Sequence, residues 1–299
     1  MTQRLIFHGK QSDEPLVILE GRAPAQATGD GTRLCKIRQA TLSTDDLADL
    51  DETNAVICPT LLGKEALLEM VTDQCDEKME PGTRLVLNPY SPIRFSSTPL
   101  DNRGGRWAGL WASHVLLTKE TFVVRVPQDL SEFAACTLHT WALAFAVCNA
   151  VLERDEAAII VVQGAGLLGL YCCAVLSSNA YNVFCCDKNP KRLRLVTDFG
   201  AVPLHPSLIG PVESKAHFVL ECTGDPSSSE QVCSLVFFYR YNPGSQAFQW
   251  LGDGAQYILA GLSNSNSALP ISGRQIISKN VRISGVSTYQ LSDGTLKLG

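Results

Sequence analysis

The sequence predicts an α/β chain in two parts, a mostly β region followed by a doubly wound parallel sheet. Three observations carry this. Residues 1 to about 127 hold short apolar stretches punctuated by Gly, Pro and Asp. Phe133 to Val151 is apolar over a helical length. Beyond Asp155, strand and helix signals alternate, as a parallel sheet covered on both faces requires. With 299 residues the chain can build two domains, each with its own core.

In chain order, Leu34 to Ile37, Arg84 to Leu87 and His114 to Leu117 read as strands of the first part. Val123 to Val126, ahead of Pro127, marks a junction, and Phe133 to Val151 reads as one buried linking helix. Ala157 to Val162 ends in four β-branched residues and suits a strand buried on both faces. Leu167 to Leu176 reads as a helix, Asn182 to Cys186 as a strand, and Lys191 to Phe199 as a second helix closed by Gly200. Phe218 to Glu221, Tyr257 to Leu259 and Val281 to Ile283 complete the predicted sheet. Tyr239 to Gly254 reads as a polar surface insertion. There is no internal repeat.

Composition bounds the function. A formal charge of −5 argues against nucleic acid or an anionic membrane surface as the main partner. The apolar content of 45% and charged content of 18% are those of a globular chain. Eleven cysteines form no C-x-x-C pair, and Cys172-Cys173 and Cys185-Cys186 lie in apolar runs, where thiols behave as small hydrophobes. Disulfides are therefore not expected, and a reducing compartment is. Met1 to Lys10 has no apolar signal core, and no stretch of 18 apolar residues occurs. The expectation is a soluble, cytoplasmic protein.

The chemistry-bearing motif is Gly164-Ala165-Gly166-Leu167-Leu168-Gly169, which follows a predicted strand and opens a predicted helix. Gly164 permits a tight turn, Gly166 lets backbone approach a pyrophosphate, and Gly169 lets helix and strand pack closely. The helix N-terminus offers unpaired N–H groups to phosphates. Asp187, 18 residues beyond Gly169, stands where a carboxylate accepts both ribose hydroxyls and repels a 2′-phosphate. A turn or cap role before Pro190 is the competing reading. Lys188, Lys191 and Arg192 offset the acid, so NADP(H) is allowed beside the favoured NAD(H). Together these residues predict a Rossmann domain.

On these residues the chain resembles the medium-chain dehydrogenase/reductase superfamily, in particular its zinc alcohol dehydrogenase-like branch. Further matching segments are Phe199-Gly200-Ala201, Glu221-Cys222-Thr223-Gly224 and Leu259-Ala260-Gly261, and, earlier, Ala40-Thr41-Leu42, Gly63-Lys64-Glu65, Pro81 to Leu85 and Gly109 to Val115. The resemblance implies a GroES-like catalytic β domain over 1–127, a Rossmann domain over 128–287 with the cofactor in the cleft between them, and a truncated return segment over 288–299. It adds Thr223, Gly224, Ala260 and Gly261 to the cofactor-binding set. It also allows a homodimer.

The resemblance implies zinc ligands at positions that are Ser43, Lys64 and Cys136 here, so two of three are replaced. Serine is a poor ligand at neutral pH, and a protonated lysine has no lone pair. Asp46 and Glu65 match the family. Its proton-relay positions are Asp45 and Ala48 here, and the stretch that carries a four-cysteine zinc lobe in many members has no cysteine between Asn88 and Gly104. The expectation is an oxidoreductase without zinc, with Lys64, Asp45 and Ser43 as catalytic candidates and a small-molecule carbonyl or activated double bond as substrate. Its rival is a nucleotide-binding pseudoenzyme with a regulatory or complex-forming role. His139, Cys136, Trp107 and Trp111 read more readily as structural residues than as site residues.

Overall fold

The computed structural model describes residues 2–8, 10–21, 31–43, 46–47, 50, 60–75, 79–88, 109–119, 121–152, 158–206, 212, 215–224, 251–260, 273–286, 289–292 and 295–298. They fall into two compact units, Met1–His139 and Thr140–Gly299.

The first unit is built of antiparallel sheets. Strands β1 (Thr2–Phe7), β2 (Leu16–Gly21) and β4 (Thr60–Leu61) form one sheet in the order β2-β1-β4. Strands β3 (Thr32–Ala40), β5 (Ala66–Asp73), β6 (Arg84–Leu87), β7 (His114–Thr118) and β8 (Val123–Arg125) form a second, ordered β7-β3-β5-β6-β8. Alternation along β7 sends Val115 and Leu117 into a core with Cys35, Leu68, Met70 and Leu85. The expected strands at Leu34, Arg84 and His114 are all present, and Val123 to Arg125 pairs with β6.

The expected single helix from Phe133 to Val151 is two helices, α1 (Glu132–Ala135) and α2 (Leu138–Leu152). Thr137 causes the break. Its hydroxyl and its N–H both bond the Ala134 carbonyl, at 3.0 and 3.2 Å, which draws that carbonyl out of the regular ladder. Ser131 caps α1 by accepting the Ala134 N–H at 3.2 Å.

The second unit holds a six-stranded parallel sheet. Its strands are β9 (Ile159–Gln163), β10 (Asn182–Cys186), β11 (Val202–Leu204), β12 (Ala216–Glu221), β13 (Leu251–Leu259) and β14 (Arg282–Gly285). The order β11-β10-β9-β12-β13-β14 reverses direction at β9, which makes the edge beyond β9 and β12 the switch point of a doubly wound sheet. Ile160 and Val162 enter one core while Val161 enters the other, so β9 is buried on both faces as its β-branched run predicts. Helix α3 (Leu167–Ser178) is apolar nearly all round and packs into the first of these cores. Trp141 of α2 stacks on Tyr171 of α3, with centroids 3.8 Å apart and planes at 13°.

Two further expectations are corrected. The helix expected over Lys191 to Phe199 is a short α4 (Pro190–Leu193), capped by Asn189, and a separate 3₁₀ turn (Val196–Phe199) that closes at Gly200 in the left-handed conformation. The insertion expected over Tyr239 to Gly254 is strand from Leu251, whose side chain is fully buried; 239–250 lie outside the described residues. Helix α5 (Gly273–Lys279) precedes β14, and β15 (Tyr289–Ser292) with β16 (Thr295–Leu298) forms an antiparallel pair. Nine described cysteines are buried and none is in a disulfide. Among the described residues no helix is long and apolar enough to cross a membrane.

Candidate functional site

In the second unit the glycine motif occupies the turn from β9 into α3. Gly164 has φ +105°, a region L side chains rarely adopt, and its N–H bonds the Cys186 carbonyl at 2.7 Å, fastening the turn to the end of β10. A Cβ at Gly169 would lie 1.8 Å from the Gly164 carbonyl oxygen, so the first turn of α3 seats directly on the loop. Gly166 differs from both. Nothing lies within 4 Å of the place its Cβ would occupy, and as N-cap of α3 it offers no side chain to the first-turn N–H groups. Leu167 is 42% exposed beside this opening, while Leu168 packs against the core.

Asp187 follows β10 and bends over the same loop. Its Oδ2 accepts the Ala165 N–H at 2.9 Å, and its Oδ1 accepts the Asn189 N–H at 2.7 Å. Arg192, exposed, approaches Oδ2 at 3.6 Å, and Lys188 is exposed next in the chain. The carboxylate thus serves as a turn acceptor, as the competing reading expects, with a bond to Ala165 that the sequence did not disclose.

The neighbouring strand ends complete the rim. Glu221, at the end of β12 and 2% exposed, accepts both the N–H and the hydroxyl of Thr223 through Oε1, and the Cys222 N–H bonds Gln163. Thr223 therefore sits against the glycine turn, 2.9 Å from where a Gly164 Cβ would be. The Ala260 N–H bonds the Glu221 carbonyl at 3.0 Å. Gly164 to Gly169, Asp187, Thr223, Gly224 and Ala260 thus lie along the C-terminal edge of one sheet; Gly261 lies outside the described residues.

In the first unit the catalytic candidates meet a different environment. Ser43 is engaged in a reciprocal cap: its Oγ accepts the Asp46 N–H at 3.3 Å, and Asp46 Oδ2 accepts the Ser43 N–H and hydroxyl, both at 2.7 Å. The Leu47 N–H bonds the Ser43 carbonyl, closing one helical turn. This Ser-x-x-Asp spacing was the signal that marks Ser43 as a cap. Asp45 and Ala48 lie outside the described residues, as do Trp107 and 89–103.

Lys64 follows Gly63, whose φ of +105° carries the chain beneath Trp111; a Cβ there would fall 2.4 Å from the Trp111 nitrogen. Lys64 is 9% exposed, and Glu65 and Asp46 are buried as well. Leu67 packs with Ala135 and Cys136, which places the start of β5 beside α1. The Cys136 thiol donates to the Phe133 carbonyl at 3.1 Å, and burial, aided by the Glu65 charge, raises its pKa, so it is a poor nucleophile. His139, half-buried, is pushed down to about 3 by burial and by the Lys64 charge, and is a neutral imidazole at pH 7. Trp111 donates its indole N–H to the Thr41 carbonyl at 2.9 Å and lines an open groove of about 520 Å³ with Leu5, Ile18, Ile37 and Leu42.

No protein-family model matches the chain. A curated relative, the 5-exo-hydroxycamphor dehydrogenase of Pseudomonas putida, is 24% identical over 262 residues, 79% of this chain and 71% of the relative. Among solved structures, an alcohol dehydrogenase of Thermotoga maritima is similar with a TM-score of 0.73 and 21% identity, over 95% of this chain and 84% of the other. The acetophenone reductase of Geotrichum candidum, solved in complex with NAD, is similar with a TM-score of 0.70 and 16% identity, over 95% and 82%. The chain therefore shares its fold with these alcohol dehydrogenase-type oxidoreductases.

Proposed function

We propose that the chain is an NAD(H)-dependent oxidoreductase that works without zinc on a carbonyl or an activated double bond. The observation that carries this is the open position at Gly166, where an uncapped helix N-terminus faces space beside Asp187. A pyrophosphate fits such a cradle, because backbone N–H groups and the helix dipole both favour anions there. Asp187 would take the adenosine ribose through lone pairs its two turn bonds leave available. Arg192, 3.6 Å from that carboxylate, supports a weaker tolerance of NADP(H). When bound, the nicotinamide supplies hydride transfer, and the chain supplies position and charge. The acetophenone reductase similarity supports the same reading, since that protein was solved with NAD. A buried, disulfide-free set of thiols suits a reducing compartment such as the cytoplasm.

Titration calorimetry with NADH and NADPH tests the cofactor. NADH binds more tightly, and Asp187→Ala weakens it by about 1.5–3 kcal/mol, the worth of a hydrogen bond to a charged group. Equal affinities for the two cofactors, or an unchanged preference in the variant, would overturn the role of Asp187. Cofactor oxidation measured over a panel of carbonyls and enones then separates an enzyme from a nucleotide-binding protein without turnover. That second reading is favoured by the commitment of Ser43 to a cap and by the protonated state of Cys136.

A further inference from the structure

The fold likeness carries an expectation of zinc among Ser43, Lys64 and Cys136, and the residues found there do not fit it. Zinc asks for deprotonated sulfur, neutral imidazole or carboxylate, usually four in a tetrahedron or three with one open position. The Ser43 hydroxyl is bound into its cap with Asp46, and the Cys136 sulfur is turned onto the Phe133 carbonyl at 3.1 Å. Among the described residues no three His, Cys, Asp or Glu side chains gather as a metal requires. Lys64 brings three N–H donors and no lone pair.

Lys64 is nonetheless nine-tenths buried, which is uncommon for a lysine and unfavourable unless opposite charge accompanies it. Glu65, the next residue, is 5% exposed, and Asp46 is fully buried. Gly63 fixes where the lysine departs from the chain, because its backbone is wedged against Trp111. We propose that Lys64 is a resident cation. Its ammonium group supplies the positive charge at this position of the first unit, and the same charge keeps a divalent ion out. The exclusion of metal does not depend on the proposed function.

Cobalt(II), which reports thiolate ligation by its charge-transfer absorption, is the probe. The full wild-type chain takes up no cobalt after gel filtration and shows no such band. In Ser43→Cys/Lys64→His, cobalt binds at least about 100-fold more tightly, with a band from sulfur ligation. Should the double variant not fold by circular dichroism, Lys64→His alone is read in the same way for tighter cobalt binding. Firmly held cobalt or zinc in wild type overturns the proposal, and so does a folded Lys64→His chain that binds cobalt no better than wild type. NADH binding by the same samples, followed by fluorescence, is read separately. A chain that binds no NADH refutes the cofactor reading and leaves the cobalt result intact.

Discussion

The turn after β9 and the turn before β5 are each built round a glycine with φ of +105°, Gly164 and Gly63, yet they are held by different means. Around Gly164 backbone meets backbone: Gly169 seats on the Gly164 carbonyl, and the Gly164 N–H reaches the end of β10. Any side chain at Gly169 collides, so the motif itself is the geometry. Around Gly63 the backbone is equally confined, by Trp111, but what the turn presents is the pair Lys64 and Glu65. The first turn thus presents backbone, and the second presents two buried side chains.

The strongest way to break this comparison is Gly169→Val. With a Cβ due 1.8 Å from a carbonyl oxygen, the loop or the helix must move, and a loss of about 3 kcal/mol in chemical denaturation is expected, with NADH binding abolished. A variant as stable as wild type would show that the loop is not held by close packing.

Ser43→Ala sharpens the other side. Removing the hydroxyl takes one partner from buried Asp46 and the acceptor from its N–H, at a cost of about 1–2 kcal/mol. Unaltered stability would remove the capping account and restore Ser43 as a catalytic candidate.

A pH-dependent effect comes from His139. Its folded pKa of about 3 lies below the ordinary 6.5, so between these values the unfolded chain binds the extra proton. The stabilisation is complete above about 6.5 and is lost as pH falls toward 3. Urea denaturation from pH 7 to 4 should show wild type losing more stability than His139→Gln. Parallel curves would mean that Lys64 and burial do not hold the imidazole neutral.

Gly166→Ala should change stability least, by no more than about 0.5 kcal/mol, because its Cβ meets nothing. NADH affinity should nevertheless fall, as the methyl group enters the space proposed for the pyrophosphate. Unchanged affinity in calorimetry would detach this opening from the nucleotide.

Much of the second unit was legible from residue order. The β-branched run Ile159 to Val162, the glycine spacing and Asp187 each reflect a local steric or hydrogen-bonding demand, so the strand, the turn and the acid follow in sequence. Less was legible where side chains intervene. Thr137 divides the expected linking helix through a bond to its own Ala134 carbonyl, and Leu251 extends a strand into a stretch whose polarity suggested surface. In the first unit the Ser43 to Asp46 spacing encodes a cap, whereas the family resemblance casts Ser43 as a lost ligand.

By itself, then, the sequence determined the two-part plan and the glycine turn after β9, because both rest on periodicity and on glycine, which are properties of neighbouring residues. Tertiary structure alone decided that Lys64 is buried, that Asp187 holds the Ala165 N–H, and that Glu221 fixes Thr223 against the glycine turn. These depend on strands and turns far apart in the chain meeting at one edge. Burial and charge act through space, and no spacing along the chain records them.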